Sequence, residues 1–152
     1  MLYFEDFRAG DARTAGVYEL TEDEIVDFAR RWDPQPWHVD PDAARRSPMQ
    51  GITASSVHSY AIAALLLNRM RPVAGIASLK HEIELPSPAR PGDRLTLTMT
   101  CVAKRRSASK PDRGLVTFAG VLANQAGTPV LTLRSLMMIR TRPAQGNVSG
   151  NV

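Results

Sequence analysis

A single cysteine, Cys101, stands in the whole chain, so no intrachain disulfide framework is available to it. Aromatic residues make up only 6%. The basic residues are scattered apart from those between 104 and 113, so the net charge of +4 and pI of about 9.7 are not read as a nucleic-acid surface. Long apolar runs are missing as well. The longest, Tyr60 to Leu67, falls far short of the roughly 18 residues that a membrane helix requires. The opening Met1-Leu2-Tyr3-Phe4-Glu5-Asp6 lacks a basic stretch followed by an apolar one, and cytoplasm is the expected compartment. There is no Gly-rich phosphate loop and no internal repeat. The three histidines, with no clustered cysteine and no HxxxH spacing, lead us to expect no metal site.

What is present is enough for one core. At 152 residues and 43% hydrophobic content, one domain over residues 1–142 is expected, followed by a disordered Gly-, Asn- and Ser-rich tail over 143–152. Thr14 to Leu20 reads as a strand. Thr21-Glu22-Asp23-Glu24 is a capping box, with Thr21 as N-cap, Glu24 reaching back, and Leu20 and Ile25 as the staple. Ile25, Phe28, Ala29 and Trp32 then form an apolar helical stripe, which predicts Trp32 turned inward and Asp33 delivered to the edge of the core.

A short helix is expected over Asp40 to Arg46 with Pro41 in its first turn. An apolar helix from about Val57 to Arg69 carries Ala61-Ile62-Ala63-Ala64-Leu65-Leu66-Leu67, and its sides are so uniformly apolar that it must be surrounded. Four alternating segments follow. They are 77–85, with Ala77, Leu79, His81, Ile83 and Leu85 on the inward side; 95–101; 114–124; and 129–140, the last two joined across Gln125-Ala126-Gly127-Thr128. One buried helix wrapped by a long antiparallel sheet is an α+β arrangement.

Chemistry is concentrated in Asp33-Pro34-Gln35-Pro36-Trp37-His38-Val39-Asp40. Pro34 and Pro36 push Asp33 and Gln35 out of the helical region, and the stretch is taken as too proline-rich for helix. A carboxylate and an imidazole held stiffly five positions apart can share one water, as an addition or elimination beside a carbonyl requires. The same residue types also fit a plain turn, in which the aspartate caps backbone N–H groups and the histidine bonds a carbonyl.

Read on to Ala44, the stretch resembles the hydratase motif of the MaoC-like, (R)-specific enoyl-CoA hydratase family, through Asp33, Pro36, His38 and Ala44. The resemblance extends through Tyr3 to Phe7, Gly51 to Ser59, and Pro91-Gly92-Asp93, and so covers residues 3 to about 140. It implies a hotdog fold and a hydro-lyase that reversibly adds water to a trans-2-enoyl thioester, giving a (3R)-hydroxyacyl thioester. Asp33 and His38 are then catalytic. Coenzyme A enters as part of the acyl-CoA substrate, with no redox cofactor. A homodimer or higher homo-oligomer is implied, with the acyl tunnel at the interface.

Family members commonly carry Ala-Ser-Gly or Ala-His-Gly before the central helix, where the glycine N–H faces the thioester carbonyl. Here Ala54-Ser55-Ser56 puts Ser56 in that oxyanion position, and either serine would also serve as a helix N-cap. Trp32 and Gln35 depart from the family's glycine and asparagine. Gly51 and Trp37 join the substrate-binding candidates, Trp37 as pocket wall or core. His58 is a further candidate ligand or base, although a buried histidine bonded to backbone is the commoner meaning, and the same is expected of His81. Cys101 reads as core. Lys104, Arg105, Arg106, Lys110 and Arg113 fit a solvated hairpin tip better than a phosphate contact; Arg134 and Arg140 are further cations that such a contact could use. Two other outcomes remain on this fold: an acyl-CoA thioesterase, and a non-catalytic subunit that lends its surface to an active homologue.

Overall fold

The computed structural model describes residues 1–143. All but the first residue of the expected tail therefore lies outside the described residues. Strand β1 (Ala12–Glu19) is followed by α1 (Glu22–Trp32), two short helices, α2 (Pro36–Val39) and α3 (Pro41–Arg46), and the longer α4 (Ser56–Arg69). Four strands follow among the described residues: β2 (Gly75–Glu84), β3 (Arg94–Arg106), β4 (Arg113–Ala123) and β5 (Pro129–Arg140). All pair antiparallel, in the order β1-β3-β4-β5-β2, and the sheet curls around α4. The α+β reading holds, with each strand close to its expected place.

Alternation along β3 and β4 buries Leu95, Leu97, Met99 and Cys101 on one strand and Val116, Phe118 and Leu122 on the next. Against them α4 lays Ile62, Ala63 and Leu66. The opposite stripe of α4 is uncovered, contrary to the expectation of a surrounded helix: Val57 and Leu65 are 52% and 41% exposed. Strand β2 corrects the sequence reading too. It lies at the sheet edge, beyond the helix it was expected to face, so Leu79, His81, Ile83 and Leu85 are all exposed. His81 is a surface residue whose Nδ1 meets the Tyr60 hydroxyl at 3.4 Å.

The start of α1 follows its sequence signals. Thr21 Oγ accepts from the Glu24 N–H at 3.3 Å, and the staple residues Leu20 and Ile25 are buried. The Thr21 N–H favours the Glu24 carboxylate, yet the hydrogen bond that carboxylate accepts comes from the Tyr18 hydroxyl. The far end of α1 differs. Trp32, one turn beyond the Phe28 ring that stacks on α4, is 62% exposed, with the Arg31 guanidinium over its ring.

Helices α1 and α4 are joined by a contact between the buried His58 and the half-buried Glu24. The His58 ring stacks on Phe28 at 4.2 Å, and its Nε2 lies 3.8 Å from Glu24 Oε1. His58 is buried but bonded to no backbone group, and its Nδ1 has no partner. An ionised Glu24 that faces an Nε2–H leaves Nδ1 as a bare lone pair, which is less costly than a stranded N–H donor. Burial lowers the His58 pKa to about 4 and raises that of Glu24.

Two outcomes follow for stability. An unfolded His58 takes its proton near 6.5 and the folded one only near 4, so acidification between those values favours unfolding. Glu24, raised in the fold, acts in the opposite sense. Denaturant titrations should show stability falling by up to about 3 kcal/mol from pH 6.5 to 4 through His58. His58→Phe, which keeps a ring against Phe28, should lose that part of the slope. At Gly114 an added Cβ would overlap the buried Phe4 ring, so Gly114→Ala should cost about 1–3 kcal/mol, read as a lower thermal midpoint.

Candidate functional site

Asp33 follows the last turn of α1, with its N–H donating to Ala29 O at 2.8 Å and its backbone outside the helical region, as a residue before proline requires. Gln35 is extended for the same reason, at φ −70 and ψ 140. The segment is nevertheless not free of helix. Pro36 opens the single turn α2, because its fixed φ suits a first helical position and its missing N–H would have had no partner there. Asp40 ends α2 and caps α3, its Oδ1 accepting from the N–H groups of Asp42 and Ala43, which hold its carboxyl below the usual range. Ala44, fully buried, lets its carbonyl accept from the N–H of Gly51 at 3.1 Å.

One turn of helix carries His38 inward, where it is 9% exposed. Its Nδ1 lies 2.7 Å from the Thr53 carbonyl oxygen. A carbonyl can only accept, so Nδ1 carries the proton and the neutral ring keeps its lone pair at Nε2. That Nε2 faces Asp33 Oδ2 at 3.9 Å and also receives the Trp37 indole N–H at 3.2 Å. A separation of 3.9 Å is too long for a direct hydrogen bond. An oxygen about 2.8 Å from both atoms would subtend about 90° between them, which a water can satisfy.

Asp33, Trp37, His38, Thr53, Ser56 and Ser59 line one cleft of about 410 Å³, together with residues 85–89. Ser55 is the N-cap of α4, its Oγ accepting from the His58 N–H at 3.2 Å. Ser56 begins the helix, and its N–H has no partner within the helix. Partial positive charge at this helix end is thus presented near the Asp33–His38 pair.

Not every candidate joins this cleft. Gly51 is not among its lining residues; it has φ +150, in a loop tied by Arg90, whose guanidinium donates to Met49 O at 2.7 Å. His58 is turned to α1, against Phe28 and Glu24. Cys101 is buried, and burial pushes its thiol up, so it is no nucleophile. Lys104 and Arg106 hold the N-terminal turn through the Phe4 carbonyl and Glu5, and Arg113 pairs with Asp112. Arg105 and Lys110 are exposed near the hairpin between β3 and β4, while Arg134 and Arg140 are exposed on β5. An apolar cavity of about 300 Å³ at the other end of α4, walled by Phe7, Met99 and Met137 among others, contains neither Asp33 nor His38. Among the described residues no three His, Cys, Asp or Glu side chains converge, and no helix is long and apolar enough to cross a membrane. Thr53 was not anticipated from the sequence, since a backbone carbonyl leaves no trace in residue type.

Comparison with known proteins places this geometry. Residues 8–119 match the MaoC like domain family. The chain is similar to the crystal structure of a MaoC-like dehydratase from Rhodospirillum rubrum, with 36% identity, a TM-score of 0.91, and coverage of 95% of this chain and 100% of the other. An R-hydratase from Pseudomonas aeruginosa shares the fold at 19% identity and a TM-score of 0.76, with 99% and 96% covered. A monoamine oxidase regulatory protein from Archaeoglobus is similar at 26% identity and a TM-score of 0.80, with 93% and 96% covered. No curated protein sequence matches. The sheet curled around α4 is thus a hotdog fold, and the chain belongs to the MaoC-like dehydratase family.

Proposed function

We propose that this protein is a hydratase of trans-2-enoyl thioesters, acting reversibly to form (3R)-hydroxyacyl thioesters, with Asp33 and His38 sharing the water. The observation that carries the reading is the His38 ring, with its proton committed to Thr53 O and its lone pair turned to Asp33 across 3.9 Å. In hydration, the water oxygen bonds to the β-carbon while one of its protons passes to the Nε2 lone pair, with Asp33 ionised and accepting from the other. The π electrons move through the α-carbon to the thioester oxygen. The resulting enolate meets the Ser56 N–H at the start of α4. The proton then returns to the α-carbon, the thioester C–S bond stays whole, and no redox cofactor takes part. General acid–base catalysis of this kind contributes about 10²- to 10⁴-fold, and one oxyanion donor about 10²- to 10³-fold.

A homodimer is part of the proposal. The bare stripe of α4, with Val57 and Leu65, and the edge strand β2, with Leu79 and Ile83, leave apolar side chains and unpaired backbone groups exposed. Tyr60 of α4 reaches His81 of β2, so the two surfaces adjoin. A second copy would cover both.

Crotonyl-CoA hydration, followed by loss of enoyl absorbance with free thiol monitored alongside, tests the chemistry. Wild type should consume the enoyl group without releasing thiol, and Asp33→Asn and His38→Ala should each lose about 10²-fold or more in kcat/KM. Thiol release would indicate a thioesterase. Absence of turnover across short, long and branched enoyl-CoAs would favour the silent subunit. Sedimentation should show a dimer that Leu79→Asp converts to monomer.

A further inference from the structure

The Trp37 indole is bonded to the one atom that the hydratase chemistry needs free. His38 Nδ1 is committed to the Thr53 carbonyl, so Nε2 offers a single in-plane lone pair. An indole N–H can only donate, and it lies 3.2 Å from that lone pair. Asp33 Oδ2, at 3.9 Å, is outside hydrogen-bond range, which leaves the indole as the direct side-chain partner of Nε2 among the described residues. One lone pair cannot hold both the indole hydrogen and a hydrogen of the attacking water.

The geometry points to Trp37 as a gate: its N–H occupies His38 Nε2, and the indole must swing off that atom for water and thioester to engage it. The inference rests on the hydratase reading of the Asp33–His38 pair. Three features suit Trp37 to such movement. It is 39% exposed, so leaving His38 opens no hole in the core. It sits on α2, a single turn, and not in a long helix. It lines the cleft shared with Asp33 and Ser56, so an entering acyl chain meets the ring directly. While docked, the N–H keeps the buried lone pair satisfied, and because the indole acts only through His38, whose ring is oriented by the Thr53 carbonyl, Trp37 is a positioning residue and not a catalytic one.

Two measurements test the gate. In protein labelled with ¹⁵N at tryptophan, solvent exchange of the two indole N–H groups can be compared, with Trp32, 62% exposed, as the internal reference. The Trp37 N–H should exchange roughly fivefold or more slowly than that of Trp32 in wild type, and at the same rate as it in His38→Ala. Equal exchange in wild type would overturn the proposal. In steady-state hydration of crotonyl-CoA, Trp37→Phe keeps an aromatic wall but has no N–H to displace. Its kcat/KM should rise roughly two- to tenfold, with the change carried by KM. A fall in kcat/KM for Trp37→Phe would overturn the gate even with the indole protected. If the wild type hydrates no enoyl thioester while Trp37 alone is protected, the hydratase reading falls and the indole lock on His38 stands.

Discussion

The hydrogen bond from His38 Nδ1 to the Thr53 carbonyl, 2.7 Å long and buried, is the interaction on which the site depends. It joins the single turn α2 to the segment that leads into α4, so the imidazole and the start of the central helix are set by the same contact. It also decides the tautomer. With the proton held at Nδ1, the other nitrogen is an acceptor aimed at Asp33, and the pair can divide the two hydrogens of one water between them.

Two carboxylate–imidazole pairs of nearly equal separation occur in the fold, 3.9 Å for Asp33–His38 and 3.8 Å for Glu24–His58. Their surroundings give them different roles. The first opens onto a cleft beside the N-terminal end of α4, where water and a substrate can reach both groups. In the second the imidazole is buried beneath the Phe28 ring with an orphaned nitrogen, and burial keeps it neutral well below neutral pH. It joins α1 to α4, and α1 is the element that ends at Asp33. The Glu24–His58 contact therefore ties to α4 the helix that ends at the Asp33 carboxylate of the proposed reaction.

Much of this was legible in residue order because the signals are local. Thr21 and Leu20 mark the start of α1 through a side chain and a staple that act within one turn. Pro41 and Asp40 do the same for α3, and the alternation along β3 and β4 needs only a period of two. Errors arose where burial depended on a distant element. Trp32 continues a correct stripe but extends past the place where α4 could cover it, and β2 alternates without any helix over it. At Pro36 the proline count was read as forbidding helix, whereas one proline at a first position is compatible with a single turn.

The sequence by itself determined the α+β class, the order of the elements, and the presence of an acid and an imidazole across a stiff, proline-bounded connection, since each follows from periodicity, capping chemistry or fixed backbone angles. Only the tertiary structure decided which histidine faces a cleft and which is sealed, which nitrogen of His38 carries its proton, and that the Trp37 indole lies on the other. Those facts depend on a carbonyl fifteen residues away and on helices meeting across the core. Backbone groups are the same at every non-proline position, so residue identity alone does not specify such contacts.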